Sequence, residues 1–240
     1  MIWGGDLYNA KRDKMNDAVR AGFAGIITDT DGDEKVYEER YGKPRCVFNA
    51  GYAFPITSEM IAKAKSEARV YIRIQINNSC DRSTLEVLQW LSTYKDEPIR
   101  VLVIHSYGDM VFAKDIESVG KRLFGDKFEV IRDFMSPDEY AQHMAQNDIL
   151  VLNQNRQQGL GNCFAALALG VKLFIRAEIS TFTHLATKGC FVHDTKLIPG
   201  MSFSDFVLMT KQEQANNRNA AARFFSGDYL QGLWEKVFAQ

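Results

Sequence analysis

The sequence predicts an α/β protein built around a doubly wound parallel sheet. Strand-like and helix-like segments alternate along the chain, which is the pattern of repeated strand–helix units. Residues 99–105 form a predominantly apolar run, typical of a strand that is covered on both faces. A polar loop with two glycines, residues 155–162, lies between an apolar run and a segment of small apolar residues, as at a strand–helix junction.

The first part of the chain predicts a short series of these elements. In order, they are strand 23–28, helix 33–41, strand 45–49, loop 50–57 and helix 58–66. The last segment has helix-forming composition. We expect it to lead from a first domain, residues 1–68, to a second domain, residues 69–240.

A second series begins with the β-branched, apolar run at 70–76. Leucines recur at helical spacing in residues 83–94, so this segment predicts an amphipathic helix. Ser136 and Glu139 have the spacing of a capping box, and Pro137 suits the first helical position. The predicted elements are strand 70–76, helix 83–94, strand 99–105, helix 114–124, strand 128–131, helix 136–146, strand 149–152, helix 163–170 and strand 171–175.

The C-terminal residues 216–238 predict helical structure with a break near residues 226–228. Aromatic side chains in this region are expected to pack it back onto the second domain. These side chains are Phe224, Phe225, Tyr229, Trp234 and Phe238.

The carboxyl ends of the predicted strands mark the expected site, because ligands of doubly wound sheets bind there. The loops 77–83 and 155–162 both follow predicted strands. Free N–H groups and the positive end of the helix dipole after the second loop favour a phosphate group. Alternatively, Gly159 and Gly161 only permit a tight turn and close packing of helix on sheet.

Composition excludes several classes of protein. The chain has 240 residues and a formal net charge of −1, so nothing indicates a nucleic-acid partner. Its four cysteines form no CxxC pair, which argues against structural zinc and a disulfide scaffold. No apolar run reaches the roughly 18 residues of a membrane span, and no secretory signal is visible. We expect a cytoplasmic protein.

Several segments together resemble one family of transferases. In chain order, they are Ile2-Trp3-Gly4-Gly5-Asp6-Leu7-Tyr8, Asn78-Ser79-Cys80-Asp81-Arg82-Ser83, residues 135–140, Arg156-Gln157-Gln158-Gly159-Leu160-Gly161, Phe224-Phe225-Ser226 and Tyr229-Leu230-Gln231-Gly232. The ordered set is similar to the bacterial 4-acetamido-4,6-dideoxygalactose transferases. That family is also called the 4-alpha-L-fucosyltransferases, or glycosyltransferase family 56.

The resemblance implies the GT-B architecture, in which two Rossmann-like domains face each other across a cleft. Residues from about 69 onward would then bind the nucleotide-sugar donor. The family has a further region ahead of the segment that contains Trp3, so we expect that most of the N-terminal domain is missing. Residues 176–182 depart from the family's arginine–glutamate–asparagine–proline–phenylalanine pattern, so no sugar-binding role is carried over to them.

The resemblance also implies an activity. Family members transfer 4-acetamido-4,6-dideoxygalactose from dTDP to a lipid-pyrophosphate-linked saccharide, which implies peripheral contact with the inner membrane. We expect no metal and no cofactor, because helix dipoles and basic side chains neutralise the leaving diphosphate. One alternative is a different sugar donor for capsule or exopolysaccharide. Another is a chain that holds a nucleotide sugar without turnover.

The candidate residues divide into one acid and a set of donor-binding side chains. Asp6, in a segment that would line the cleft, is the candidate general base, with a structural loop aspartate as the alternative. The donor-binding candidates are Asn78, Ser79, Arg82, Arg156, Gln157, Gln158, Gly159, Gly161, Asn162, Tyr229 and Gln231. His184 is a further site candidate.

Each donor-binding assignment has an alternative. Arg156 would form a bidentate clamp on the diphosphate, or it pairs with an acid on the surface. Gln157 and Gln158 would bind sugar hydroxyls or cap their own loop. Arg82 would approach the pyrophosphate. Tyr229 would close the C-terminal helix over the cleft or simply pack.

Overall fold

Two parallel sheets organise the residues that the computed structural model describes, which are 1–8, 14–51 and 70–239. The smaller sheet pairs β1 (Gly25–Thr28) with β2 (Cys46–Asn49). The larger sheet contains β3 (Ile72–Ile76), β4 (Ile99–Ile104), β5 (Phe128–Ile131), β6 (Ile149–Leu152), β7 (Lys172–Ile175) and β8 (His193–Asp194). Its order is β5-β4-β3-β6-β7-β8, and every neighbouring pair is parallel.

Helices connect the strands and cover both faces of the larger sheet. In chain order, they are α1 (Gly4–Tyr8), α2 (Lys14–Ala21), α3 (Asp31–Tyr41), α4 (Ser83–Leu91), α5 (Ala113–Phe124), α6 (Pro137–Ala145), α7 (Leu160–Leu169), α8 (Ser180–Thr187), α9 (Phe203–Val207), α10 (Lys211–Phe224) and α11 (Gly227–Phe238). Helices α3 to α7 each join two parallel strands, since such strands need a crossover connection. The predicted doubly wound parallel sheet is therefore confirmed.

The strand order of the larger sheet reverses beside β3. The chain runs outward from β3 through β4 to β5, then crosses back and adds β6, β7 and β8 on the other side. The carboxyl ends of β3 and β6 consequently lie next to each other with their connections diverging. A crevice at this topological switch point is where open α/β sheets bind ligands.

Alternation along β6 shows how the core is divided between the two faces of the sheet. Ile149 and Val151 belong to an apolar cluster with helices α4 and α5. Leu150 and Leu152 point the other way, into a cluster with α7 and α10. Because every residue of β6 is buried, the strand is apolar throughout instead of alternating with polar residues.

Most predicted elements of the second series are confirmed to within a few residues. The capping box of α6 is present, with Ser136 accepting a hydrogen bond from the Glu139 amide. The predicted C-terminal break falls between α10 and α11. Helix 58–66, most of loop 50–57 and the proposed domain boundary lie outside the described residues, so they stay predictions.

Some elements escaped the sequence pattern. Helices α1, α2, α8 and α9 and the two-residue strand β8 were not predicted. The prediction that Phe238 packs onto the domain is wrong, because this side chain is 78% exposed and its ring stacks on Trp234 of the same helix. It lies in the last turn of α11, beyond the last residue of that helix that packs into the core, Leu230.

Two glycines in helix interiors allow a test of the packing between α5 and β5. A Cβ on Gly120 would overlap the ring of Phe128, whereas a Cβ on Gly232 in α11 would meet nothing within 4 Å. We expect Gly120→Ala to lower the free energy of unfolding by about 1–3 kcal/mol through overpacking. Gly232→Ala should raise it by roughly 0.5–1 kcal/mol, because alanine favours helix.

Urea unfolding of the two alanine variants beside the wild-type chain measures both effects. A stabilised Gly120→Ala protein would contradict the contact between α5 and the Phe128 ring.

Candidate functional site

Side-chain hydrogen bonds join the loops that follow β3 and β6 at the switch point. The Gln154 amide donates to the Asn78 side-chain oxygen at 3.0 Å, and the Gln158 amide donates to the Ser79 hydroxyl at 2.9 Å. Asn78 in turn donates to the Tyr107 hydroxyl at 2.8 Å. Asn78 and Ser79 are both buried. The structure therefore brings together three of the predicted donor-binding residues, Asn78, Ser79 and Gln158.

Asn77 fixes the geometry of this junction, and the sequence analysis did not single it out. Its backbone has φ of 52°, in the left-handed region that asparagine adopts more readily than most residues. Its side-chain oxygen accepts from the Asn153 amide at 2.9 Å, and its side-chain nitrogen donates to Thr84 at 2.9 Å. The available signal was an asparagine directly after an apolar strand, at the start of a sharp turn.

Gly159 sets the direction of α7. Its φ is 70°, and a Cβ there would lie 3.0 Å from the Asn78 side-chain nitrogen and 3.3 Å from that of Asn162. Glycine is thus required both by the backbone and by the close approach of β3's loop. The first amides of α7, including those of Gly161 and Asn162, have no carbonyl four residues back within the helix. They are free to donate to an anion.

The N-terminal motif packs directly on the loop before α7. The Gly4 amide donates to the Gln157 side-chain oxygen at 3.2 Å, and a Cβ on Gly4 would overlap the Gln157 backbone carbonyl. A Cβ on Gly5 would lie 3.5 Å from a guanidinium nitrogen of Arg156. Gln157 is buried and ties α1 to this loop, which favours its structural interpretation.

The guanidinium of Arg156 is half-buried beside α1. Among residues 1–8, 14–51 and 70–239, no carboxylate lies within ion-pair distance of it. The alternative in which Arg156 pairs with an acid is therefore not supported within this part of the chain. Its charge is therefore not neutralised by an acid in the described residues, and Arg156 lies in the loop directly before α7.

A cavity of about 290 Å³ opens on one side of the α7 N-terminus. It lies between α6, α7 and the loops that follow β3, β4 and β5, so it belongs to the same strand edge. Tyrosine, phenylalanine, methionine and proline form most of its wall, and two asparagines line it near the first turn of α7. The lining residues are Asn78, Ile104, Ser106, Tyr107, Phe134, Met135, Pro137, Tyr140 and Asn162.

Arg82 lies apart from that cavity. It precedes α4, is exposed, and its guanidinium is 6.0 Å from the centre of the Phe112 ring. It lines an open groove of about 520 Å³ together with Asn155 and Arg176. Arg176 is paired with Glu86 at 2.8 Å and donates to the Asn153 carbonyl at 2.8 Å. This arginine therefore joins α4 to the loop after β6 at the switch point.

The candidates of the C-terminal helix are divided. The ring of Tyr229 packs edge to face against Phe224, with 5.7 Å between the ring centres. Tyr229 also lines a small cavity at the carboxyl ends of β1 and β2. Gln231 is exposed, and its amide donates to Glu235 one turn later at 2.9 Å. In the described part of the chain, no contact joins Gln231 to the loops at the strand edge.

Asp6 lies in the first turn of α1, where its carboxylate accepts from the Trp3 amide at 3.1 Å. This bond caps the start of a short helix. It gives Asp6 a structural role without excluding a chemical one.

A second acid, Asp29, occupies the carboxyl end of β1 and was missed by the sequence analysis. It is 5% exposed, and one of its carboxylate oxygens has no hydrogen-bond partner among the described residues. Burial, and then the nearby carboxylate of Asp33, raise the pKa of Asp29 to about 7. Asp33 accepts from Tyr8 and from Ser180, both at 2.8 Å. The signal was present as acidic residues directly after a predicted strand.

Comparison with known proteins gives this geometry a family. The sequence profile of the family described as 4-alpha-L-fucosyltransferase glycosyl transferase group 56 matches residues 1–240. The chain belongs to this family. The resemblance of its motifs to family 56 is thereby confirmed.

Solved glycosyltransferases share the fold of this family 56 chain. HepE from Anabaena, solved with UDP and glucose, is 12% identical with a TM-score of 0.71, over 99% of this chain and 71% of HepE. The UDP-forming trehalose-phosphate synthase from Burkholderia vietnamiensis is 9% identical with a TM-score of 0.70, over 94% and 59% of the two chains. WaaG, a glycosyltransferase involved in lipopolysaccharide biosynthesis, is 14% identical with a TM-score of 0.59, over 88% and 60%.

Likeness at these identities shows the fold, so the expected GT-B architecture is confirmed. The family 56 chain spans only about three fifths of the length of the synthase and of WaaG. Among the described residues, no helix combines the length and the apolar character needed to cross a membrane. The same residues contain no group of three or more His, Cys, Asp or Glu side chains placed to hold a metal ion.

The raised pKa of Asp29 predicts a pH-dependent gain in stability when its carboxyl is replaced. An unfolded aspartate titrates near 3.9, so between about pH 4 and pH 7 the folded state binds the proton more tightly. The stability of the wild-type chain therefore falls as pH rises through this window. The amide introduced by Asp29→Asn does not ionise. We therefore expect the free energy of unfolding of this variant, relative to that of wild type, to increase by roughly 2–3 kcal/mol as the pH rises from 5 to 8.

Urea unfolding at both pH values measures this difference. Glu39→Gln, which changes an exposed carboxyl on α3, is the matched control. A constant difference for Asp29→Asn would contradict the raised pKa.

Proposed function

We propose that this protein is a glycosyltransferase whose donor is a nucleotide sugar. One observation carries the proposal: the first turn of α7 lies at the switch point of a Rossmann-type sheet, beside an apolar cavity and directly after the loop that contains Arg156, which has no acidic partner in the described residues. A nucleoside diphosphate requires both a seat for its phosphates and a flat apolar site for its base. The two occur side by side here.

The diphosphate is proposed to lie on the first turn of α7. The amides of Gly161 and Asn162 face outward from the helix end, and the helix dipole adds a positive potential there. Arg156 approaches from the loop before the helix and can bind two phosphate oxygens at once. The absence of a side chain at Gly159 lets Asn78 approach the same turn, so the side-chain amide of Asn78 borders the proposed diphosphate site.

The nucleobase is proposed to occupy the cavity of about 290 Å³ beside α7. Aromatic walls from Tyr107, Phe134 and Tyr140 suit a planar ring, while Ser106 and Asn78 offer hydrogen bonds to its edge. The proposed base is thymine, in agreement with the dTDP-linked donors that the family resemblance implies.

This arrangement supplies what glycosyl transfer requires of the donor side. When the bond between the anomeric carbon and the phosphate oxygen breaks, a further negative charge develops on the leaving diphosphate. The amides of the first turn of α7 are held in place by the helix, so they would stabilise the charge without reorganising, and Arg156 would add its positive charge from the preceding loop. We propose that they perform this task without a metal ion or cofactor.

The finer specificity rests on the family resemblance and is proposed with it. The donor sugar would be 4-acetamido-4,6-dideoxygalactose, and the acceptor a lipid-pyrophosphate-linked saccharide at the inner membrane surface. A chain that holds the nucleotide sugar without turnover is the second candidate.

Arg156→Ala tests the diphosphate seat. Loss of a charge-assisted, bidentate contact should weaken dTDP binding by about 1.5–3 kcal/mol, and Arg156→Lys should recover part of this loss. Titration calorimetry with dTDP, UDP and GDP gives the affinities and the preference for the base.

Arg122→Ala, which changes an exposed arginine on α5, is the matched control and should bind dTDP like wild type. Unchanged dTDP affinity in a folded Arg156→Ala protein would remove Arg156 from the site. Absence of dTDP binding to the wild-type chain would contradict the proposed donor.

A second substitution tests the base cavity independently of the phosphates. Ser106→Phe would place a ring in the cavity, so we expect dTDP binding to weaken by about tenfold or more, or roughly 1.4 kcal/mol. Binding of inorganic pyrophosphate should not change, because the phosphate seat is left intact. Ser118→Phe, at an exposed position on α5, serves as the control, and equal loss of both ligands would indicate damage to α7 instead.

A further inference from the structure

We propose that Asp29 is the general base of the transfer, and that the acceptor hydroxyl enters a second cavity on the opposite side of α7 from the base cavity. The inference rests on the proposed transferase function and deepens it. It assigns the acceptor side of the site to the carboxyl ends of β1 and β2.

The second cavity has a volume of about 90 Å³, room for a small polar group. Asp29 and Asn49, which follow and end the two strands of the small sheet, form one wall. Leu160 and Phe164 of α7 form the facing wall. Tyr229 of α11 contributes a further side, which gives a role to a residue that the sequence analysis singled out.

Helix geometry places the two cavities on either side of one phosphate seat. Leu160 and Phe164 are four residues apart, so they project from the same face of α7. Asn162, which lines the base cavity, is rotated by about 200° from Leu160 and projects from the opposite face. A group bound on the first turn of α7 therefore lies between the nucleobase cavity and the cavity of Asp29.

Asp29 brings an uncommitted oxygen to this cavity. The residue is only 5% exposed, and its Oδ1 atom accepts no hydrogen bond in the described part of the chain. A buried oxygen without a donor is costly, so it indicates a group that receives its partner from a ligand. Asp29 lines the cavity, so we propose that the ligand enters there.

The carboxylate, ammonium and imidazole groups that line the cavity beside Asp29 have contacts of their own. Asp31 accepts from the Asn49 side chain at 2.6 Å. The Lys188 ammonium lies 3.5 Å from His184 Nδ1, and burial followed by this charge lowers the pKa of His184 to about 4. His184 is thus neutral at physiological pH. Asp33, which lies nearby, accepts hydrogen bonds from Tyr8 and Ser180. Its carboxylate contributes to the raised pKa of Asp29.

The charge state of Asp29 suits proton transfer near neutrality. With a pKa of about 7, the carboxyl is ionised in an appreciable fraction of molecules and still holds a proton well once it has received one. In the proposed step, the acceptor oxygen forms a bond to the anomeric carbon while its proton passes to Asp29. The bond from the anomeric carbon to the phosphate oxygen breaks, and its electron pair leaves with the diphosphate.

Asp29 is better placed than Asp6 for this task. The Asp6 carboxylate caps α1 through the Trp3 amide, and it does not line the second cavity. Replacing each acid by its amide separates the two assignments.

The experiment measures release of dTDP from dTDP-4-acetamido-4,6-dideoxygalactose in the presence of a lipid-pyrophosphate-linked saccharide. For Asp29→Asn, we expect kcat to fall by about 100-fold or more, the usual contribution of a general base. The affinity for dTDP and the KM for the donor should stay within about twofold, since Asp29 does not touch the nucleotide. Glu39→Gln should keep the wild-type kcat.

The pH profile provides a readout that a structural role would not change. Since the ionised form of Asp29 is active, kcat of the wild-type chain should rise with pH up to about 7 and then level off. The residual kcat of Asp29→Asn should lack this rise, although the protein is folded and more stable than wild type at pH 8. Gain of stability with loss of turnover is the pattern of a residue that serves function.

Each contrary outcome has a distinct meaning. If Asp29→Asn keeps kcat within about threefold, or if Asp6→Asn loses it instead, the assignment of Asp29 is wrong and the proposed transferase stands. If the wild-type chain binds dTDP but releases none from the donor, Asp29 has no catalytic role in this chain. If the wild-type chain binds no dTDP, the proposed function itself is wrong.

Discussion

The site depends on one polar side chain, that of Asn77, which closes the switch point of the larger sheet. Its left-handed backbone turns the chain away from β3, while its side chain joins the Asn153 amide after β6 to the start of α4. Parallel strands leave their carboxyl-end amides unpaired, and a buried amide without a partner is unfavourable. By satisfying these groups, Asn77 fixes the distance between the two loops that present Asn78 and Gln154.

The small sheet is part of this construction through its contact with the loop before α7. Gly4 accommodates the Gln157 carbonyl where any side chain would overlap, and its amide binds the Gln157 side chain. The hydroxyls of Tyr8 and Ser180 both reach Asp33, so α1, α3 and α8 meet on one carboxylate. These contacts hold the carboxyl ends of β1 and β2 against α7, which places acidic groups beside the proposed phosphate seat.

The parts of the fold that could be predicted are those with local physical signals. Buried parallel strands such as β6 are apolar at every position. The capping box of α6 can be predicted from the spacing of Ser136 and Glu139. The loop before α7 was identified because a polar stretch with two glycines separates an apolar run from a segment of small apolar residues. Helix α1 has only five residues and contacts residues far along the chain. It is therefore too short to show a helical period of apolar residues in the sequence.

The acidic end of β1 could not be assigned from the sequence, because its character arises from burial against distant residues. Asp29, Thr30 and Asp33 each hold a buried oxygen without a partner in the described part of the chain, close together at one strand end. Each such atom costs about 1–3 kcal/mol, and an apolar residue would be more stable there. The apolar clusters on both faces of the larger sheet show that the chain packs well elsewhere. Buried polar atoms without hydrogen-bond partners at one strand end, beside a cavity, are expected where function requires polar groups whose partner is a ligand.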